Sequence, residues 1–430
     1  MKARIGVFLL AIGLAFGACA EDSDTASPGE SPEPTAETLV LDPPPPLATS
    51  VAGAAPAPAS NEPLSCRGED GGLAVGRTDI RVSGNRQAPG SIDLLNVPMV
   101  AIDLPAPPTW VVPFFAADDS CEPYWYVTLN DGRAVTVDPR GVVADAGAAL
   151  APPETSSGVV RSVYDDLGRF DNPLPDSRVV SFGSWSAALV DPTERYGHGV
   201  LGDRIEAGAI EVIDNSSGER TRIMIDAPSV IEGISPMLLD VDQNDDAIPE
   251  ILVTLSNADD GAWLALFNID GTLRAASAPI GRGNRWRNQL GAGWTGPDGD
   301  YEIVDVRTPH LDGVVEFFRV NGDRLELTAS TSGYTNHTLG SRNLDLGIMV
   351  DADADKVVEV VLPTRDLGSL AIIDRHDDDA IEVGRIDLGG SLSTNIATQW
   401  IVGQSWIAVG TQDARLLVFG DPNLLTPDAE

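Results

Sequence analysis

From about residue 68 onward the chain is written in short runs of Val, Ile, Leu and Trp, each broken by Gly, Asn or Asp. Apolar runs of that length, bounded by turn-formers, are the signature of β-strands. No stretch carries the 3.6-residue apolar spacing of an amphipathic helix, so the expected class is all-β. The runs also recur in a fixed order. Residues 237–278 read as four strands, the last following the turn Asp270-Gly271, and residues 290–329 repeat that order with Asn321-Gly322 as their last turn. Residues 346–386 repeat it again, and aligning the central strands puts Glu250, Glu302 and Glu359 at one shared position. Fainter copies span 110–137, 185–225 and 396–419. A four-stranded unit of about 50 residues, repeated round an axis, is a β-propeller blade. Six blades are expected within residues 65–425, with seven, drawing on residues 68–100, as the alternative. The final copy lacks a fourth strand, and a segment within 90–104 is expected to supply it.

The N-terminal end changes the picture from a bare domain to an exported one. Lys2 and Arg4 precede an apolar run, Ile5 to Phe16, that is too short to span a bilayer and has the form of a signal-peptide core. Phe16-Gly17-Ala18-Cys19 then resembles a bacterial lipobox, which implies that residues 1–18 are removed and Cys19 is lipidated. Residues 19–64 are rich in Pro, Ala, Ser, Thr and Glu, including four consecutive prolines at 43–46. That composition buries too little apolar surface to offset ordering entropy, so a disordered, locally polyproline-like tether is expected, reaching on the order of 100 Å. The expected location is extracytoplasmic and membrane-anchored, at the cell surface or on the periplasmic face. Two further cysteines, Cys66 and Cys121, would then lie in an oxidising compartment and are expected to pair. Such a bond would close a loop of about 55 residues and stabilise by about 2–4 kcal/mol. Net charge is −37, from 65 acids against 28 bases, which repels a phosphate backbone and excludes nucleic acid as a partner.

Candidate chemistry sits first in two acid-rich loops between inner and central strands. In the later copy Asp351, Asp353 and Asp355 alternate and Glu359 closes the set, with the Val357 carbonyl as a further donor. In the earlier copy Asp240, Asp242 and Asn244 alternate, and Asp246 or Glu250 closes. Calcium takes six to eight oxygens, and alternate side chains of a tight loop can supply them. The pattern resembles the FG-GAP/VCBS repeats of bacterial surface proteins and of the integrin α-subunit propeller. That resemblance implies a propeller with structural Ca2+ held at these residues. Position six of the loop, usually glycine, is Lys356 in one copy and Asp245 in the other.

A second set lies in segments leading into or within the blades near the mouth of a central funnel. Trp286 and Arg287 precede the fourth blade, and Asn336, His337, Arg342 and Asn343 precede the fifth, while His310 and His198 occupy loops within blades. Arginine grips carboxylates and tryptophan stacks on sugar rings, so this set suits a glycan or protein ligand. Four histidines in all are scattered singly, with no H-E-x-x-H spacing and no G-x-S-x-G elbow. These omissions favour a ligand-binding, adhesion or scaffolding module over an enzyme. A carbohydrate-active enzyme, lyase-like or hydrolase-like, with Arg287, His310, His337 and Arg342 in the funnel, is the alternative.

Overall fold

The computed structural model describes residues 91–115, 123–146, 167–243, 248–296, 299–353, 355, 357–401 and 404–421. The signal and tether segments, Cys19, Cys66, Cys121, Asn244 and Asp246 lie outside these residues. Among the described residues there is no α-helix, only a short 3-10 turn at Leu167–Arg169.

The first strand, β1 (Met99–Asp103), is set apart from its sequence neighbours. Blade one follows as β2 (Pro108–Phe115), β3 (Pro123–Leu129), β4 (Ala134–Val137) and β5 (Val143–Asp145). Blade two is β6 (Val180–Phe182), β7 (Trp185–Thr193), β8 (Glu206–Asp214) and β9 (Arg220–Met224). A two-residue strand, β10 (Val230–Ile231), bridges β8 to the next blade. Blade three is β11 (Met237–Leu239), β12 (Glu250–Asn257), β13 (Gly261–Phe267) and β14 (Leu273–Ala276). Blade four is β15 (Arg287–Trp294), β16 (Tyr301–Arg307), β17 (Val314–Asn321) and β18 (Arg324–Ser332). Blade five is β19 (Ile348–Val350), β20 (Glu359–Pro363), β21 (Ser369–His376) and β22 (Asp379–Asp387). The last sheet holds β23 (Ala397–Ile401), β24 (Gln404–Thr411) and β25 (Arg415–Phe419), and β1 completes it.

That completion is antiparallel, from Met99 opposite Phe419 to Asp103 opposite Arg415. The expected closing strand is therefore in place, and the described residues form six four-stranded antiparallel units arranged as a β-propeller. Apolar layers seal successive sheets to one another. One layer joins blades two and three, another three and four, and others four and five, five and six, and six and one. Between blades one and two the Arg178 guanidinium stands 5.9 Å from the Trp110 ring centroid. Sandwiching explains the sequence pattern. Every residue of β12 and β20 is buried because each blade is covered on both faces, whereas the outer strand β22 alternates. The first strands β6, β11, β15 and β19 line a central cavity of about 120 Å³.

Candidate functional site

Antiparallel order sorts the loops by end. The turns from first to second strand open at one end of the ring, and the second-to-third turns and interblade linkers open at the other. The two sequence-predicted sites therefore sit at opposite ends.

At the acidic end, carboxylate oxygens of Asp240, Asp242 and Glu250 lie within 4.8 Å of one another, as do those of Asp351, Asp353 and Glu359. Both sets are held by the same device. The Val241 N–H donates to Glu250 Oε2 at 2.9 Å, and the Ala352 N–H donates to Glu359 Oε2 at 2.6 Å. Burial, with Asp353, Asp355 and Asp351 facing it, pushes the Glu359 carboxyl up to about 8. Glu250 is likewise raised, chiefly by burial. Asp355 stands outside the triplet, and its carboxylate accepts the Val357 N–H at 2.7 Å. The equivalent glutamate of blade four is informative. Glu302 is fully buried too, but Arg375 Nε stands 3.2 Å and Arg319 Nη2 3.4 Å from it, and Thr295 donates to it at 2.9 Å. Where the loop lacks aspartates, arginines supply the positive charge. Where it carries them, three carboxylate oxygens lie close enough together that they could hold a hard, oxygen-seeking cation.

At the linker end, the segment joining blades four and five reaches across to blade two. The Gly340 N–H donates to Val200 O at 2.9 Å. Arg342 donates to Asp176 at 2.7 Å, to Leu201 O at 3.2 Å and to Asp203. Arg178, just before blade two, grips Asp345 through both carboxylate oxygens at 2.7 and 2.9 Å. Asn336 is buried, donating to Asn288 O at 3.1 Å, and Asn343 accepts the Asp345 N–H at 3.0 Å. The linker between blades four and five is thus tied to blade two and the segment leading into it.

Trp286, His310 and His337 meet in this region. The indole is buried, stacks on His310 with centroids 6.0 Å apart, meets His337 edge-on at 4.8 Å, and donates to Glu232 O at 2.9 Å. His310 and His337 are 2.7 Å apart between Nε2 and Nδ1. Arg287 is elsewhere. It lies inside blade four, with Nε 3.0 Å from Asp305, Nη1 3.0 Å from Ser277, and an ion pair to Glu316. Sequence reasoning missed Glu232, whose buried carboxylate holds His198 Nδ1 at 2.5 Å, and Glu206. The available signal was a lone acid in the apolar run Val230-Ile231-Glu232-Gly233-Ile234. Burial, then the charges of Glu232, Asp203 and Asp176, pushes Glu206 up to about 9.

Burial pushes both His310 and His337 down to about 4, with a neighbouring histidine adding to each. A group whose folded value is depressed contributes stability that is complete above its ordinary value and lost as pH falls. The two histidines are therefore expected to weaken the fold between about pH 6.5 and 4. Glu206 works in the opposite sense, so the histidine part must be isolated by difference. In urea titrations across that window, wild type should lose more stability than His337→Gln, and parallel pH curves for the two would contradict the assignment.

No protein-family model matches the chain, and no curated protein matches it. Among solved structures, the chain is similar to BBS1N crystallised in complex with ARL6DN and soaked with mercury, at 9% identity and a TM-score of 0.40, covering 75% of this chain and 95% of that one. The lead-soaked crystal of the same complex gives 9% identity, a TM-score of 0.39, and 76% and 95% coverage. A Bacteroides caccae protein of unknown function gives 13% identity, a TM-score of 0.29, and 53% and 65% coverage. The fold described above rests on its own strand pairing.

Proposed function

We propose that this chain is a lipid-anchored, extracytoplasmic β-propeller that serves as a binding or scaffolding module for a protein partner, stabilised by Ca2+ in blades three and five. The lipobox-like Cys19 and the proline-rich tether support the anchorage, and a disulfide between Cys66 and Cys121 would brace the start of the folded region. One observation carries the binding reading. The polar side chains at the mouth, Asn336, His337 and Asn343 among them, are buried and engaged with their own chain. What remains to meet a partner is the surface of these cross-bonded loops, from which Leu339 and Leu311 project with 67% and 54% of their surface exposed. The calcium reading rests on the two carboxylate triplets and on the contrast with arginine-neutralised Glu302. Ca2+ would act there as a structural clasp between first and second strands.

A photo-crosslinking amino acid at position 339 or 311, in cells that carry the protein, tests this surface. A discrete adduct is expected from these positions and none from position 273, which is equally exposed on the outer strand of blade three. The same smear from all three positions, or no adduct at all, would remove that reading.

A further inference from the structure

Binding a partner at the linker end makes no use of the central cavity. Its wall comes from blades two to five and the segments leading into them, with Phe182, Met237, Leu239, Leu290 and Met349 as its larger apolar groups. The charged groups in that wall already have partners in the chain. Arg178 pairs with Asp345 at 2.7 Å, and Glu232 holds His198 at 2.5 Å. Amide and hydroxyl side chains of the wall are committed as well. Gln289 donates to Ser235 O and accepts from Thr254 Oγ1, both at 3.0 Å, and the Ser235 hydroxyl donates to Pro236 O at 3.1 Å. Tyr301 differs. It lines the cavity at the start of β16, edge-on to Trp294 with ring centroids 5.4 Å apart. Its hydroxyl has no hydrogen-bond partner among the described residues and is not cut off from water. A tyrosine packed among apolar groups ordinarily finds a partner for that end. The strands add further polar groups, because β6, β11, β15 and β19 each pair on one side only, with their own second strand. Their other edges leave main-chain N–H and C=O groups for the cavity.

We propose that this cavity binds a small uncharged molecule with a ring-sized apolar body and one hydroxyl or carbonyl group, which hydrogen-bonds Tyr301 Oη. Volume sets the size. At about 120 Å³ the cavity is close to the roughly 150 Å³ of an apolar protein cavity that takes up benzene, so it admits on the order of six to eight non-hydrogen atoms. A monosaccharide is larger and brings several hydroxyls, for which the committed wall side chains offer too few partners. Charge sets the class. A carboxylate or ammonium entering here would shed its hydration and find both wall cation and wall anions already answered, a loss that burial makes expensive. An uncharged ligand avoids that loss, covers the apolar groups and gives the Tyr301 hydroxyl the partner it lacks.

Methionine methyl groups supply the test in the unaltered chain. Met237 and Met349 line the cavity, whereas Met99 and Met224 are 45% and 61% exposed on the outer strands β1 and β9. In the full-length protein labelled with 13C-methyl methionine, titration with phenol or cyclohexanol should shift the Met237 and Met349 resonances saturably and leave Met99 and Met224 in place. Substitution of each methionine by leucine assigns the resonances. Benzoate should shift none of them. Toluene, which keeps the ring and lacks the hydroxyl, should bind roughly threefold to tenfold more weakly than phenol. Tyr301→Phe removes a hydroxyl that bonds nothing in the chain, so the fold should hold while phenol falls to the level of toluene. Met237 and Met349 resonances unmoved by both alcohols up to their solubility, equal shifts at all four methionines, benzoate binding as tightly as phenol, or phenol affinity unchanged by Tyr301→Phe would each overturn the site.

Discussion

Replacing Arg287 with alanine is expected to cost about 3–5 kcal/mol of unfolding free energy, the range for stripping one partner from a buried ion pair. The guanidinium is 1% exposed, its partners Asp305 and Glu316 are 0% and 7% exposed, and its Cζ lies over the Phe318 ring, 5.2 Å from the centroid. Without it Glu316 keeps Arg307, at 2.7 Å, but Asp305 loses the cation that opposes its burial. Burial already pushes the Asp305 carboxyl upward, so part of the cost would be relieved by proton uptake. Arg287→Ala/Asp305→Asn should therefore recover part of the loss. Lysine should not rescue fully, because one ammonium cannot reach Asp305, Glu316 and Ser277 together. Urea unfolding followed by tryptophan fluorescence measures all three. A loss under about 1 kcal/mol for the alanine variant would show that the cluster is not structural.

Chelation should have the second large effect. An ion that binds only the folded ring stabilises it by about 2.7 kcal/mol per site when free Ca2+ stands at a hundred times its dissociation constant. EDTA should lower the melting temperature and excess Ca2+ should restore it. The sharper reading comes from Glu359→Gln. Without Ca2+, an amide in place of this crowded, buried carboxyl leaves stability unchanged or raised; with Ca2+, the variant should recover only the share owed to blade three. Glu302→Gln is the counterpart. It strands Arg375 and should destabilise by the same amount in EDTA and in Ca2+. A melting temperature indifferent to chelation in wild type would end the calcium proposal.

The architecture was legible in the sequence because blades are sandwiched. Strands such as β12 and β20 are buried on both faces and read as unbroken apolar runs, and the incomplete last copy pointed to a partner strand within residues 90–104, where β1 lies. The acidic loops were legible from their alternation, although spacing alone could not show that Asp355 turns to the Val357 amide. The linker end was legible only as a collection of polar residues. A single sequence does not say whether an arginine meets solvent or a buried acid. Asp176 and Asp203, which hold Arg342, come from blade two and the approach to it, far from residue 342 in the chain. Arg287 finds its acids on the two strands beyond its own, where Asp305 and Glu316 sit among valines and phenylalanines. The Trp286–His310–His337 meeting depends on two linkers and one within-blade turn converging, which no local pattern encodes.

The sheet shared by β1 and β25 has a consequence for biogenesis. Its outer strand is among the first parts of the ring to be synthesised and its neighbour is the last, so five blades can form while the sixth still has an open edge. Pairing the two ends is the most non-local step in the molecule, and such steps are slow and leave strand edges exposed while they wait. A chain released before Arg415 would keep β24 unpaired on one side and leave the apolar layer between blades six and one without Leu416 and Val418. Closure at the termini thus makes completeness of the polypeptide a condition for burying its last adhesive edge, and incomplete products would be marked out for aggregation or proteolysis.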